Sequence, residues 1–162
     1  MRASPMPGGV YLLAQTITAL GLGLAGLVLL FAVAIVVGVR LPPETWVSMA
    51  VRLLLGSLPF IGLGFALAYL CSPSAAPAVA NLLFLVLAFG SGMLIRVDQM
   101  PDFLATISPY LPTYHYAQLA WGAIGAESES LLVATAWLAS FALVFFAIAT
   151  WAYRREAARK FA

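Results

Sequence analysis

LLLGSLPFIGLGFALAYLCSPSAAPAVANLLFLVLAFGSGMLI, residues 53–95, carries no charged side chain between Arg52 and Arg96. A helix crosses a hydrocarbon core roughly 30 Å thick with about 20 apolar residues, because every backbone N–H and C=O must find its partner inside the segment. The stretch is long enough for two crossings if the chain turns in its middle. Cys71-Ser72-Pro73-Ser74-Ala75-Ala76-Pro77 supplies that turn, since its two prolines interrupt helical hydrogen bonding and its serines favour a tight loop. The reading is one span from about Trp46 to Leu70 and another from about Ala78 to Ile95.

Toward the N-terminus, the chain is uncharged from Arg2 to Arg40, but Pro5, Pro7, Gly8 and Gly9 make a poor helix start. A span from Val10 to Val39 remains, about 45 Å long at 1.5 Å per residue, so it must tilt or begin below the membrane surface. Its apolar run far exceeds the roughly 7 to 15 residues of a signal peptide's hydrophobic region. Toward the C-terminus, a last span runs from Leu131 to Tyr153. The stretch between Arg96 and Ser130 is broken by Pro101, Pro109 and Pro112 and carries His115 and Gln118, which disfavour a full crossing. Two short helices fit it, one following Pro101 with Phe103, Leu104 and Ile107, the other from about Thr113 to Ile124. In the second, His115, Gln118 and Gly122 share a face. The predicted fold is all-α: a polytopic membrane bundle of four spans (about 10–39, 46–70, 78–95 and 131–153) with a re-entrant or interfacial helical hairpin at about 100–124.

Composition agrees. Of 162 residues, 64% are hydrophobic and 9% charged, against about 25% charged in an ordinary soluble domain. A single cysteine, Cys71, and a single histidine, His115, exclude an internal disulfide and a Cys/His zinc site. The basic residues are too few and scattered for a nucleic-acid surface. Lys160 is the only lysine and follows Arg159 where a phosphate-binding loop needs glycine, which rules out a Walker A motif. Four spans put both ends on one side. Arg2, Arg154, Arg155, Arg159 and Lys160 lie there with Glu156, whereas Arg40, Arg52 and Arg96 on the opposite side are accompanied by Glu44, Asp98, Asp102, Glu127 and Glu129. The positive-inside rule makes the termini cytoplasmic in a multi-pass protein of the cell membrane. Trp46 suits the outer interface and Tyr11, Trp151 and Tyr153 the inner one.

Several local patterns admit competing readings. Gly21-Leu22-Gly23-Leu24-Ala25-Gly26 matches a dinucleotide fingerprint by letter, but it sits inside an apolar run, where no strand ends and no helix opens. Gly21 with Ala25, Ala19 with Gly23, Gly62 with Ala66, Gly64 with Ala68 and Ala88 with Gly92 are instead small residues four apart, which let helices approach closely in lipid. Ser91, His115 and Asp98 or Asp102 have the side chains of a hydrolytic triad, but no nucleophile-elbow sequence surrounds Ser91, and an interfacial role for His115 is favoured. Gln15, Thr18 and Asn81 place polar groups among apolar helices, where they bond between helices or line a substrate route. Arg52 belongs near the outer headgroups, reached by its snorkelling stem, and Pro59 is a candidate kink.

Six stretches taken in order resemble the permease subunits of type 2 ABC transporters. They are Arg2-Ala3-Ser4-Pro5-Met6-Pro7, Leu58-Pro59-Phe60-Ile61-Gly62-Leu63-Gly64, Ala78-Val79-Ala80-Asn81-Leu82-Leu83, Ser91-Gly92-Met93, Met100-Pro101-Asp102-Phe103-Leu104 and Leu111-Pro112-Thr113-Tyr114-His115-Tyr116. The resemblance implies a membrane-embedded half-transporter of an exporter for drugs, lipids or polysaccharides. It would bind no cofactor itself, pair with a second permease copy as a homo- or heterodimer, and dock a separate cytoplasmic ABC ATPase that binds ATP. It makes Arg2, Ser4 and Pro5 candidate ATPase contacts; Gln15, Thr18, Asn81 and Ser91, as polar residues among apolar spans, are the candidates for lining the pathway. Pro101, Pro112, His115 and Gln118 become parts of an outer re-entrant element. Such permeases usually have six spans, and this chain begins at what resembles the loop after their second. A truncated product, or a reduced form that needs partners to complete the pathway, is the corresponding expectation. The alternative function is a non-transporting membrane scaffold or accessory subunit.

Overall fold

The computed structural model describes residues 8–94, 97–126 and 128–161. Among these residues every regular element is helical: α1 (Gly8–Val36), α2 (Pro43–Gly56), α3 (Leu58–Leu70), α4 (Ala76–Gly90), α5 (Asp102–Ile107), α6 (Pro112–Ala123) and α7 (Leu131–Phe161), with single 3-10 turns at Val97–Gln99 and Ser108–Tyr110. This is the all-α membrane bundle that the hydropathy pattern predicts. The ATPase-contact candidates Arg2, Ser4 and Pro5 lie outside the described residues.

Three helical stretches are long and apolar enough to cross a membrane: Gly9–Val36, Pro43–Leu70 and Leu131–Glu156. α1 ends earlier than Val39, in a Schellman arrangement: Gly38 takes φ +100°, its N–H donates to Ile35 O, and the Val39 N–H donates to Ala34 O. Glycine suits that left-handed position because it has no Cβ to clash. α2 and α3 form one crossing interrupted at Ser57. Pro59 has no N–H to offer the carbonyl of Leu55, and at the same break the Ser57 hydroxyl donates to the preceding carbonyl, Leu54 O, at 2.7 Å.

The third expected span needs correction. α4 stops at Gly90 rather than Ile95 and has 15 residues, about 22 Å against a hydrocarbon core of roughly 30 Å. Gly90-Ser91-Gly92 is responsible, with Gly92 at φ +79°, a conformation that leaves the helix. The helices expected between residues 100 and 124 are present. Pro101 caps α5, and Pro112 occupies the first turn of α6, where its missing N–H costs nothing.

The principal packing is α3 against α7, followed by α6 against both α2 and α7, while α1 touches α2, α3 and α7 only lightly. Leu119 of α6 with Ala134 and Leu138 of α7 makes the buried core, and Tyr116 packs on it. Small residues set the approach. A Cβ at Gly62 would sit 3.2 Å from Phe145 Cβ, and one at Gly56 would sit 2.9 Å from both Leu119 and Tyr116 side-chain carbons. Gly62 and Ala66 are buried, so this predicted small-residue pair does face another helix. At one end of the bundle, Tyr153 lies between Tyr11 and Tyr69, with ring centroids 6.2 and 5.4 Å away. Phe31 and Trp46 meet at 4.7 Å at the other end. The start of α1 and the end of α7 therefore share one end of the bundle.

Candidate functional site

The polar residues that the structure assembles lie at the end opposite Tyr153, where the α5–α6 hairpin meets the start of α7. α6 presents His115, Gln118 and Gly122 at positions three and four apart, hence on one side, and the segment leading into α7 passes over that side. The His115 Nδ1–H donates to Glu129 Oε1 at 2.6 Å. The Glu129 backbone N–H donates to Gln118 Oε1 at 3.2 Å. His115 is only 2% exposed, and its ring stacks on Trp137 of α7 at 5.2 Å with an interplanar angle of 9°. Two residues earlier, the Thr113 hydroxyl donates to Leu87 O at 3.0 Å and ties α6 to α4. Burial foremost, and then the Glu129 carboxylate, push the Tyr114 phenol above its ordinary value. Burial does the same to Tyr116.

This arrangement fixes position more than it supplies chemistry. A hydrogen bond from a buried imidazole to a carboxylate contributes about 1.5–3 kcal/mol, and here it joins the hairpin to the last span. His115 Nε2 and Ser91 Oγ are buried without a hydrogen-bond partner among the described residues, so no Ser91–His115 bond of the kind a triad needs is formed. No group of histidine, cysteine or carboxylate side chains suited to a metal occurs among the described residues.

The four pathway candidates are not gathered into one place by any hydrogen bond. Gln15 donates to Tyr11 Oη on its own helix, and Thr18 donates to Ala14 O. Asn81 is exposed on α4, whereas Ser91 is fully buried just beyond it. Of the outer-element candidates, Pro112 and His115 are buried, Gln118 is half-buried and Pro101 is exposed. Sequence reasoning missed Glu129 and Trp137. The only available signal for Glu129 was its place two residues before the apolar run of α7.

A family model described as ABC-2 type transporter matches residues 1–124, from α1 through the hairpin. The chain belongs to the ABC-2 type transporter family. It is 30% identical over 148 residues to a Bacillus subtilis (strain 168) protein named "Putative transport permease YvfS", covering 89% of this chain and 60% of that relative. The chain thus spans about three-fifths of the length of the curated relative it matches. No solved structure matches it. For an ABC-2 membrane protein the hairpin is the informative element, because it holds most of the long-range polar bonds among the described residues and falls almost wholly within the family match.

Proposed function

We propose that the chain is the membrane-embedded part of an ATP-driven exporter permease. It pairs with a second permease copy, and a separate cytoplasmic ABC ATPase binds and hydrolyses the ATP. The family match over residues 1–124 carries this reading, and the spanning helices agree with it. Both termini lie on the cytoplasmic side of the cell membrane, because the end of the bundle marked by Tyr11 and Tyr153 also carries Arg154 and Arg155. The hairpin then lies at the outer face, pinned to α7 through His115 and Glu129, and closes the far end of the route. Gln15, Thr18, Asn81 and Ser91 are the proposed polar lining, and Arg2, Ser4 and Pro5 the proposed ATPase contacts. ATP binding in the partner shifts the balance between inward-open and outward-open arrangements. The chain itself acts as a transport subunit without its own ATPase site.

The test is affinity purification of the chain from cells that express its neighbouring genes, followed by reconstitution in vesicles. Recovery of an ATPase subunit, with solute flux that requires ATP, is expected. Flux indifferent to ATP, with no ATPase recovered, would instead indicate the scaffold or accessory role.

A further inference from the structure

Two cavities of opposite character meet at Arg52. One, of about 210 Å³, is polar and lies between α2, α6 and the start of α7, with Gln118, Gly122, Ser128 and Glu129 on its wall. The other, of about 350 Å³, is apolar and follows α7 past Thr135, Leu138 and Ala142. Arg52, Leu119 and Leu131 line both, so the two lie side by side. Arg52 is half-buried, and its guanidinium has no ion-pair partner among the described residues. It reaches the space over Gly122, where a Cβ would lie 3.4 Å from its Nη1 and 2.7 Å from Ser128 Oγ. Leu131 to Ala142 covers about 16 Å at 1.5 Å per residue, half of a hydrocarbon core of roughly 30 Å. A charged pocket sits at the start of α7's apolar run, with an apolar trough one leaflet deep below it.

We propose that these adjoining cavities form a phospholipid site. The lipid phosphate sits against the Arg52 guanidinium, and one acyl chain lies in the trough along α7. Glu129 lines the same pocket, and the carboxylate oxygen not held by His115 suits an ammonium group, which selects a zwitterionic headgroup of the phosphatidylethanolamine class. The guanidinium matches phosphate by charge and by its fork of donors, and the trough removes acyl methylenes from contact with water. The bound lipid wedges between α2, α6 and α7, holding the hairpin to the last span alongside the His115–Glu129 bond. This inference does not depend on transport.

The full chain in detergent, titrated with phosphatidylethanolamine and read by native mass spectrometry, should retain one lipid. Arg52→Gln should lower that occupancy about tenfold, the loss expected for one charge-assisted hydrogen bond. Ala139→Phe, which fills the trough, should lower it comparably while leaving Arg52 in place. Unchanged occupancy in Arg52→Gln, or displacement of the lipid by equimolar inorganic phosphate, overturns the site. So does equal retention of phosphatidylglycerol, because the headgroup assignment then fails. In the unaltered chain, a phosphatidylethanolamine with a diazirine on its acyl chain should crosslink to peptides of α2 and α7 that flank the trough. Crosslinks spread over the outward face of α1 contradict the proposal without any variant.

Discussion

α1 and α7 are nearly equal in length, 29 and 31 residues, and both are apolar enough to cross a membrane, yet they are held in opposite ways. α7 is packed along much of its length by α3 and capped by α6, with Ala134, Leu138, Ala149 and Ala152 buried. α1 is fastened near its ends, through Tyr11 and Phe31, and its middle is largely open, with Gly23 facing the Leu54 side chain of α2. At Gly21 and Gly26 an added Cβ would meet nothing within 4 Å. Hydrophobicity puts both helices in the membrane, but in lipid it gives no preference for one helix over another. Close shape and a few polar bonds decide which helix is gripped.

That contrast can be broken most directly at the α3–α7 seam. Gly62→Leu forces a branched side chain against Phe145 and Phe146 and should destabilise the bundle by about 1–3 kcal/mol or more, seen as a lower melting temperature of the detergent-solubilised chain. Next in size is Glu129→Ala, which leaves the His115 imidazole buried without its acceptor. A loss of about 1.5–3 kcal/mol is expected, with faster proteolysis of the hairpin, while Glu129→Gln keeps an acceptor and should lose less. Thr113→Val removes the bond to Leu87 O and should cost about 1 kcal/mol, measurable as a smaller shift of the same melting curve. The smallest effect sharpens the comparison from the other side. Gly21→Ala should leave the melting temperature of the isolated chain within experimental error, since the new methyl has open space. A marked shift there would show that α1 is gripped within the chain after all.

Much of this was legible in the sequence because it depends on neighbours along one helix. The prolines at 73 and 77 marked the turn between α3 and α4, Pro101 and Pro112 marked the starts of α5 and α6, and the spacing of His115, Gln118 and Gly122 placed them together. The pair Gly62 and Ala66 foretold a close contact but not that α7 makes it. What escaped reading depends on how separate helices cross. Glu129 meets His115 only because the connection after α6 folds back over it, and Trp137 stacks on that imidazole from another element. Spacing rules say nothing about either contact. The early end of α4 was missed for a different reason: Ser91-Gly92-Met93-Leu94-Ile95 is apolar enough to extend a span, but Gly92 takes a left-handed backbone conformation there.

The central claim is that the hairpin and the chain's two ends lie on opposite sides of the membrane. In a Cys71→Ala background, single cysteines at Ser128 and at Arg155 can be tested in intact cells with a membrane-impermeant maleimide. The account predicts that the cysteine replacing Ser128 is labelled from outside and that the one replacing Arg155 reacts only after the cells are opened. Labelling of both positions in intact cells, or of the Arg155 position alone, would contradict it.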